Sequence, residues 1–134
     1  MAETIELEIV TPERQVVKDR ASEIQIPGCN GYLGILPGHA PLITQLDIGE
    51  IIYTHEGVTS RLAVAWGFAE ILPDKVTILA QTAERAEEID VPRAEADRDR
   101  AQQMLKQAEN TTQFEEGFAA LASAESRLAI AKQK

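Results

Sequence analysis

The residues able to do chemistry in this 134-residue chain are few, and they fall in two stretches. The first is GYLGILPGHAPL at 31–42, with three glycines, two prolines and one of the chain's two histidines. Glycine permits positive φ, while proline fixes φ and removes a donor, so the mixture encodes a loop of one defined shape. Its His39 is open to three readings: a ring satisfied by loop carbonyls, a contact residue shown to a partner, or a proton-transfer group. Gly31 and Gly34 resemble the start of a phosphate loop, but no Lys-Ser/Thr follows them. The second stretch is ERAEEIDVPRAEADRDR at 84–100. There Asp90 and Arg93 can share the first turn of a helix, with the Arg93 guanidinium able to fork onto phosphate or carboxylate. The competing reading is an exposed helix carrying its own ion pairs, such as Glu95 with Arg98.

What is missing narrows the chemistry. His39 and His55 are the only histidines, and the chain has no HExxH, no paired cysteines and no GxSxG elbow. No catalytic residue and no metal ligand is therefore assigned. The single cysteine, Cys29, has no thiol partner and reads as a small residue at a glycine turn, consistent with a reducing compartment. A formal net charge of −9 repels phosphate backbones and anionic lipid surfaces, so no nucleic-acid partner is expected. No stretch reaches the ~20 apolar residues of a membrane span, and MAETIELEIV lacks the basic and apolar regions of a signal peptide. The expectation is a protein on the cytosolic side.

Two kinds of element must hold these residues. From Thr4 to Thr82 the pattern is mostly period two, as in Ile5, Leu7 and Ile9, Ile24 and Ile26, and Leu33 and Ile35. Turn signals punctuate it at 11–15, 27–31, 36–41, 55–57 and 72–74, which predicts an antiparallel sandwich or barrel of short strands. In RLAVAWGFAEIL, 61–72, alternation puts Leu62, Val64, Trp66 and Phe68 on one face and Ala63, Ala65 and Ala69 on the other. With both faces apolar, this reads either as a central strand under a covering element or as a strand at a surface that a partner covers. After Ala83 the period becomes helical. Asp90 is a plausible N-cap with Pro92 in the first turn, and Ala94, Ala101, Leu105 and Ala108 recur at helical spacing. Beyond the break at ENTTQ, Phe114, Phe118, Leu121 and Leu128 continue a three-four rhythm, which predicts an antiparallel helical hairpin. Its seam is rich in alanine, with Ala122, Ala124, Ala129 and Ala131. At ~0.8 kcal/mol per buried CH₂ such a seam gains little, so the hairpin should open at low cost. The fold class is α+β in two domains: a β-sandwich over 1–84 and a two-helix hairpin over 85–134.

The order of these features is specific. GYLGILPGHAPL, then WGFAEILPDKVTILAQTAERAEEID, then an alanine-rich hairpin resembles the epsilon subunit family of the rotary F-type ATP synthase, over essentially the whole chain. DIGEI at 47–51 leans toward the cyanobacterial or chloroplast branch, and so toward a thylakoid as well as a plasma membrane.

The resemblance implies a non-catalytic rotor subunit. Its sandwich grips the gamma shaft and rests on the c-ring, so that proton flow is coupled to ATP synthesis. The protein is then peripheral, on the cytoplasmic or stromal side, and meets the membrane only through the complex. The resemblance assigns Tyr32, His39 and Pro41 to the interface with the c-ring and gamma, although many relatives carry a carboxylate where this chain has Tyr32. In the family the hairpin is either folded on the sandwich or extended along gamma toward the alpha and beta subunits, where it blocks ATP hydrolysis. The cations this chain offers for that contact are Arg127, Lys132 and Lys134.

Some relatives bind ATP through an I/L-D-x-x-R-A motif, matched here by Ile89, Asp90, Arg93 and Ala94, with Glu84 upstream and Arg127 on the second helix. Ser123 stands where those relatives carry a further arginine, so ATP is at most a weak regulatory ligand and no other cofactor is implied. The alternative reading is a free-standing ATP-binding sensor module.

Overall fold

A computed structural model describes residues 3–132, which form two compact units that divide after Arg85. The first unit contains eight strands: β1 (Ile5–Val10), β2 (Gln15–Ala21), β3 (Glu23–Gly28), β4 (Gly31–Ile35), β5 (Leu42–Leu46), β6 (Gly49–His55), β7 (Val58–Ile71) and β8 (Lys75–Arg85). They form a β-sandwich in the path β2-β1-β8-β7-β5-β3-β4, with β6 joined to both β3 and β7. All these pairings are antiparallel except that of β1 with β8. The expected period-two positions supply the core. Ile5, Leu7, Ile9, Ile24, Ile26, Ile51, Leu62 and Ile78 are fully buried, each contributing about 1.5–3 kcal/mol by its removal from water.

Strand β7 is central, one of the two readings of its apolar faces, but its facing pattern is not the expected one. Leu62 and Val64 point into the core, whereas Trp66 and Phe68 are exposed and Ala69 and Ile71 take the inward places. The inversion occurs at Trp66 and Gly67, whose φ values of 50° and 138° turn the strand by one half-period. Neighbouring β8 changes phase at the same level. Val76, Ile78 and Ala80 are buried before it and Ala83 after it, so pairs such as Ala65 with Thr82 and Gly67 with Ala80 keep one register. At this kink β7 also changes partner on its other edge, from β6 (up to Val64) to β5 (from Gly67). One long strand thereby serves both layers of the sandwich.

The second unit begins with a short 3₁₀ turn, Ala86–Glu88, and continues as α1 (Val91–Gln107) and α2 (Thr111–Ala131). The two helices form the expected hairpin. Asn110 caps α2 by accepting from the Gln113 N–H at 2.8 Å, and the Gln113 side chain accepts in return from the Glu109 N–H at 2.8 Å. Two details of the predicted seam are corrected. Phe114 and Phe118 are 52% and 60% exposed, stacked on one another with centroids 6.4 Å apart, and Gly117 and Ala124 are buried in their place. Ala131 is buried and Ala122 half-buried, but Ala129 faces outward. A three-four rhythm defines a stripe but not which of two adjacent stripes faces the partner helix, and close approach selects the smaller residues.

On the sandwich, the His55 Nδ1–H donates to Asp19 Oδ1 at 2.7 Å, with Glu56 Oε1 3.5 Å from Nε2. The Asp19 bond, with the charges of Asp19 and Glu56, raises the His55 pKa above its ordinary 6.5. Partial burial pushes Asp19 upward, but the Arg20 N–H and His55 outweigh it and hold the carboxylate below its ordinary 3.8. The raised imidazole stabilises the fold below about pH 6.5 and loses that contribution as pH rises through its folded value. The lowered carboxylate contributes above about pH 4 and loses its share as pH falls. The stability difference between the native chain and His55→Gln, measured by urea unfolding, is therefore expected to be largest between about pH 4 and 6.5 and to shrink on both sides.

Candidate functional site

The loop after β4 is built as its composition requires. Leu36, Pro37, Gly38 and His39 make a β-turn closed by the His39 N–H on the Leu36 carbonyl at 3.1 Å. Pro37 stands at its second position and Gly38, at φ 87°, takes the third, the pattern of a type II turn. The turn is pinned to the neighbouring Leu72–Asp74 loop by the Gly38 N–H on the Pro73 carbonyl at 2.8 Å. The His39 Nδ1 lies 2.7 Å from the carbonyl of Ala40, so with its proton on Nδ1 the ring braces its own loop. Of the three readings of His39, this geometry supplies the first and leaves the half-exposed ring accessible from outside. Pro41 is exposed beside it.

Tyr32 on β4 has an exposed ring but a committed hydroxyl, which accepts the Glu50 N–H at the start of β6 at 3.1 Å. The phenol passes over Gly49, where an added Cβ would lie 2.8 Å from the hydroxyl and 2.7 Å from Pro27 Cβ. Tyr32 is thus a strut between β4 and β6 as well as a surface residue.

Sequence reading offered the β7 stretch as a surface that a partner covers but did not identify the residues of the outer face of β5, β7 and β8. Phe68 stands between Gln45 on one side and Leu79 on the other, and Ile43 lies one step along β5. Phe68, Leu79 and Ile43 are all exposed, a contiguous apolar patch of the kind that marks an interaction surface. Its signal was present in the run of apolar residues at 66–68 and 78–80, but only the kink at Trp66 reveals that Phe68 faces outward.

In the second unit, Asp90 is the N-cap of α1. Its Oδ1 accepts the Arg93 N–H at 3.2 Å, and Pro92 sits in the first turn. This capping joins Asp90 to the backbone of Arg93, whose side chain is exposed. Ile89 is buried just ahead of the cap. Glu84 belongs to the first unit, on β8 opposite Ala63 of β7. Arg127 of α2 donates from Nη1 to Asp97 Oδ2 of α1 at 3.2 Å. Lys132 is exposed at the C-cap of α2, and Lys134 lies outside the described residues. The expected pairing of Glu95 with Arg98 gives way to Arg98 with Asp99 at 3.4 Å and Arg100 with Asp97 at 3.1 Å. Asp97 then serves both Arg100, on its own helix, and Arg127 across the hairpin.

Comparison with known proteins divides the chain almost where its compact units divide. A family model described as ATP synthase, Delta/Epsilon chain, beta-sandwich domain matches residues 4–86, and one described as ATP synthase, Delta/Epsilon chain, long alpha-helix domain matches residues 87–132. A protein named ATP synthase epsilon chain from Koribacter versatilis is 69% identical over 106 residues, covering 79% of this chain and 75% of the relative. One of the same name from Solibacter usitatus is 46% identical over 134 residues, the full length of both chains. In fold, the chain resembles one in the cryo-EM structure of the Euglena gracilis mitochondrial ATP synthase, with a TM-score of 0.83 at 23% identity, covering 96% of this chain and 82% of that one.

Proposed function

This chain belongs to the delta/epsilon chain family of ATP synthase, and from that premise we propose that it is the epsilon-type rotor subunit, a non-catalytic part of the complex. The observation that carries the reading is the succession of both family domains along one chain, with a relative named as an epsilon chain aligned from end to end.

The sandwich is proposed to be the coupling half. The braced loop with Tyr32, His39 and Pro41 faces the c-ring, and the exposed Phe68 patch offers gamma an apolar surface. A loop that transmits torque needs a shape that does not yield, which the type II turn, the Pro73 anchor and the Tyr32 strut provide. The hairpin is proposed to be the regulatory half, reaching gamma and the alpha and beta subunits when extended, with Arg127 and Lys132 toward acidic surfaces, and thereby blocking hydrolysis. ATP is proposed only as a weak regulatory ligand near Asp90 and Arg93. Its phosphates would compete with Asp97 for Arg127. Because the relatives named above are bacterial, the plasma membrane is the proposed location, with the subunit peripheral on its cytoplasmic side. Among the described residues no helix is long and apolar enough to cross a membrane.

The test adds the purified chain to an F-type ATPase complex stripped of its own epsilon subunit. The expected result is binding to gamma and a several-fold fall in ATP hydrolysis, lost when the chain is cut after Glu88. If hydrolysis and gamma association are both unmoved, the reading fails.

A further inference from the structure

The outer stripe of α2 carries an aromatic pair that the hairpin does not bury. Phe114 and Phe118 are 52% and 60% exposed, with ring centroids 6.4 Å apart, while the buried positions of the helix are Gly117, Ala124, Leu128, Ile130 and Ala131. Two phenylalanines four residues apart steady their own helix slightly, but most of their apolar area stays in water. The charges around them have one sign. Between Gln107 and Ser126 the chain holds Glu109, Glu115, Glu116 and Glu125 and no lysine, arginine or histidine. Glu115 follows Phe114 directly, and Glu125 returns to the stripe of Phe118 two turns later. Both are exposed, and among the described residues neither side chain is engaged in a hydrogen bond or an ion pair. Lys132, the exposed cation at the C-cap of α2, stands about 21 Å farther along the axis than Phe118.

We propose that Phe114 and Phe118, with Glu115 and Glu125 beside them, form a docking face for a cationic amphipathic helix of a neighbouring subunit, and that the closed hairpin presents this face without opening. Charge complementarity selects the partner. Its apolar side chains cover the phenylalanines, while its lysines or arginines lie over the ring faces and reach the carboxylates. An anionic helix is repelled by the same residues. The face is available in the closed hairpin because α1 approaches α2 on a different stripe, at Gly117, where an added Cβ would stand 3.2 Å from Leu105 Cδ2. Docking and hairpin closure therefore draw on different residues. The proposal deepens the regulatory reading above by naming the chemistry of one partner surface, and it rests on that reading for its place in the complex.

Titrating the full chain with a synthetic amphipathic helix of leucine and lysine, followed by NMR, reads the face directly. The ring signals of Phe114 and Phe118 and the amides of Glu115 and Glu125 are expected to move together, and about 1 M salt to weaken binding several-fold. A matching helix of leucine and glutamate should not bind. Phe114→Ser/Phe118→Ser and Glu115→Lys/Glu125→Lys are each expected to weaken binding about tenfold, with amide exchange in α1 and α2 close to native, which separates a lost face from a misfolded hairpin. Glu87→Lys/Glu95→Lys makes the same change in net charge at exposed positions toward the other end of the hairpin and should leave affinity within about twofold. Exchange at Gly117 and Ala124 should be unchanged or slower in the bound chain. The proposal is overturned if the lysine helix binds the phenylalanine variant as tightly as the native chain, if the shifts centre on Phe68 of the sandwich, or if binding speeds exchange at Gly117 and Ala124. In the epsilon-depleted ATPase complex the phenylalanine variant is expected to bind about tenfold more weakly than the native chain, and equal affinities there also overturn the proposal. If the native chain itself neither binds nor inhibits, the regulatory reading fails while the titration still decides the docking face.

Discussion

Gly67→Ala is expected to cost on the order of 3–5 kcal/mol, enough to leave a sandwich of ordinary stability largely unfolded. Two independent penalties act at this position. Its φ of 138° is a conformation that residues with a side chain rarely adopt. A Cβ there would lie 1.9 Å from the Leu79 carbonyl oxygen and 2.9 Å from Ala80 Cα, both backbone atoms of the paired strand. Neither can move without breaking the β7–β8 ladder at the level where both strands change phase. Gly57 makes the comparison. It too has a positive φ, 79°, in the two-residue turn between β6 and β7, but an added Cβ meets nothing within 4 Å. Gly57→Ala should cost only about 1 kcal/mol. Urea unfolding of the two variants side by side checks the difference; equal midpoints would show that the close approach of β8 to Gly67 has no energetic weight.

The second large effect is expected at Gly49, and it couples stability to the position of Tyr32. A methyl group there would press on Pro27 Cβ at 2.7 Å and the Tyr32 hydroxyl at 2.8 Å. Pro27 is buried and its ring is rigid, so Tyr32 must give way, and the Glu50 N–H loses its acceptor. Overpacking together with the lost hydrogen bond amounts to about 2 kcal/mol. Tyr32→Phe alone should cost about 1 kcal/mol, and Gly49→Ala should cost less in the Tyr32→Phe background than in the native one, because the hydroxyl is one of the two groups it strikes. A double-mutant cycle from urea unfolding measures that coupling, and strict additivity would count against the strut. In a reconstituted complex, Gly49→Ala is also expected to lower proton-driven ATP synthesis while leaving the hairpin's effect on hydrolysis intact, since the displaced Tyr32 belongs to β4 of the sandwich and not to the helices.

Much of this was legible in the residues themselves. Pro37 and Gly38 encode a turn that no flexible segment would need. Asp90 followed by Pro92 announces the start of α1, and the change from period two to a helical period separates the two units. Local chemistry also put one of the three readings of His39 within view, because a ring placed between Gly38 and Ala40 has carbonyls within reach. The facing of Trp66 and Phe68 was not legible. A period-two reading assumes an unbroken strand, and nothing about a tryptophan indicates that it will take a φ of 50°. The stripe of α2 that meets α1 was misread for a related reason. Hydrophobicity favoured Phe114 and Phe118, but the helices approach closely enough at Leu105 that only Gly117 fits between them.

Residue types and their spacing encode the elements: where strands alternate, where turns close and where helices are capped. Those properties depend on backbone preferences and hydrophobic period, which act over a few residues. The tertiary structure decided which faces meet. The kink that turns Phe68 outward, the Tyr32 hydroxyl across Gly49 and the pairing of Asp97 with Arg127 all join groups distant along the chain. Their contact depends on register and on the distance between packed elements, quantities to which no single short segment of the chain is sensitive.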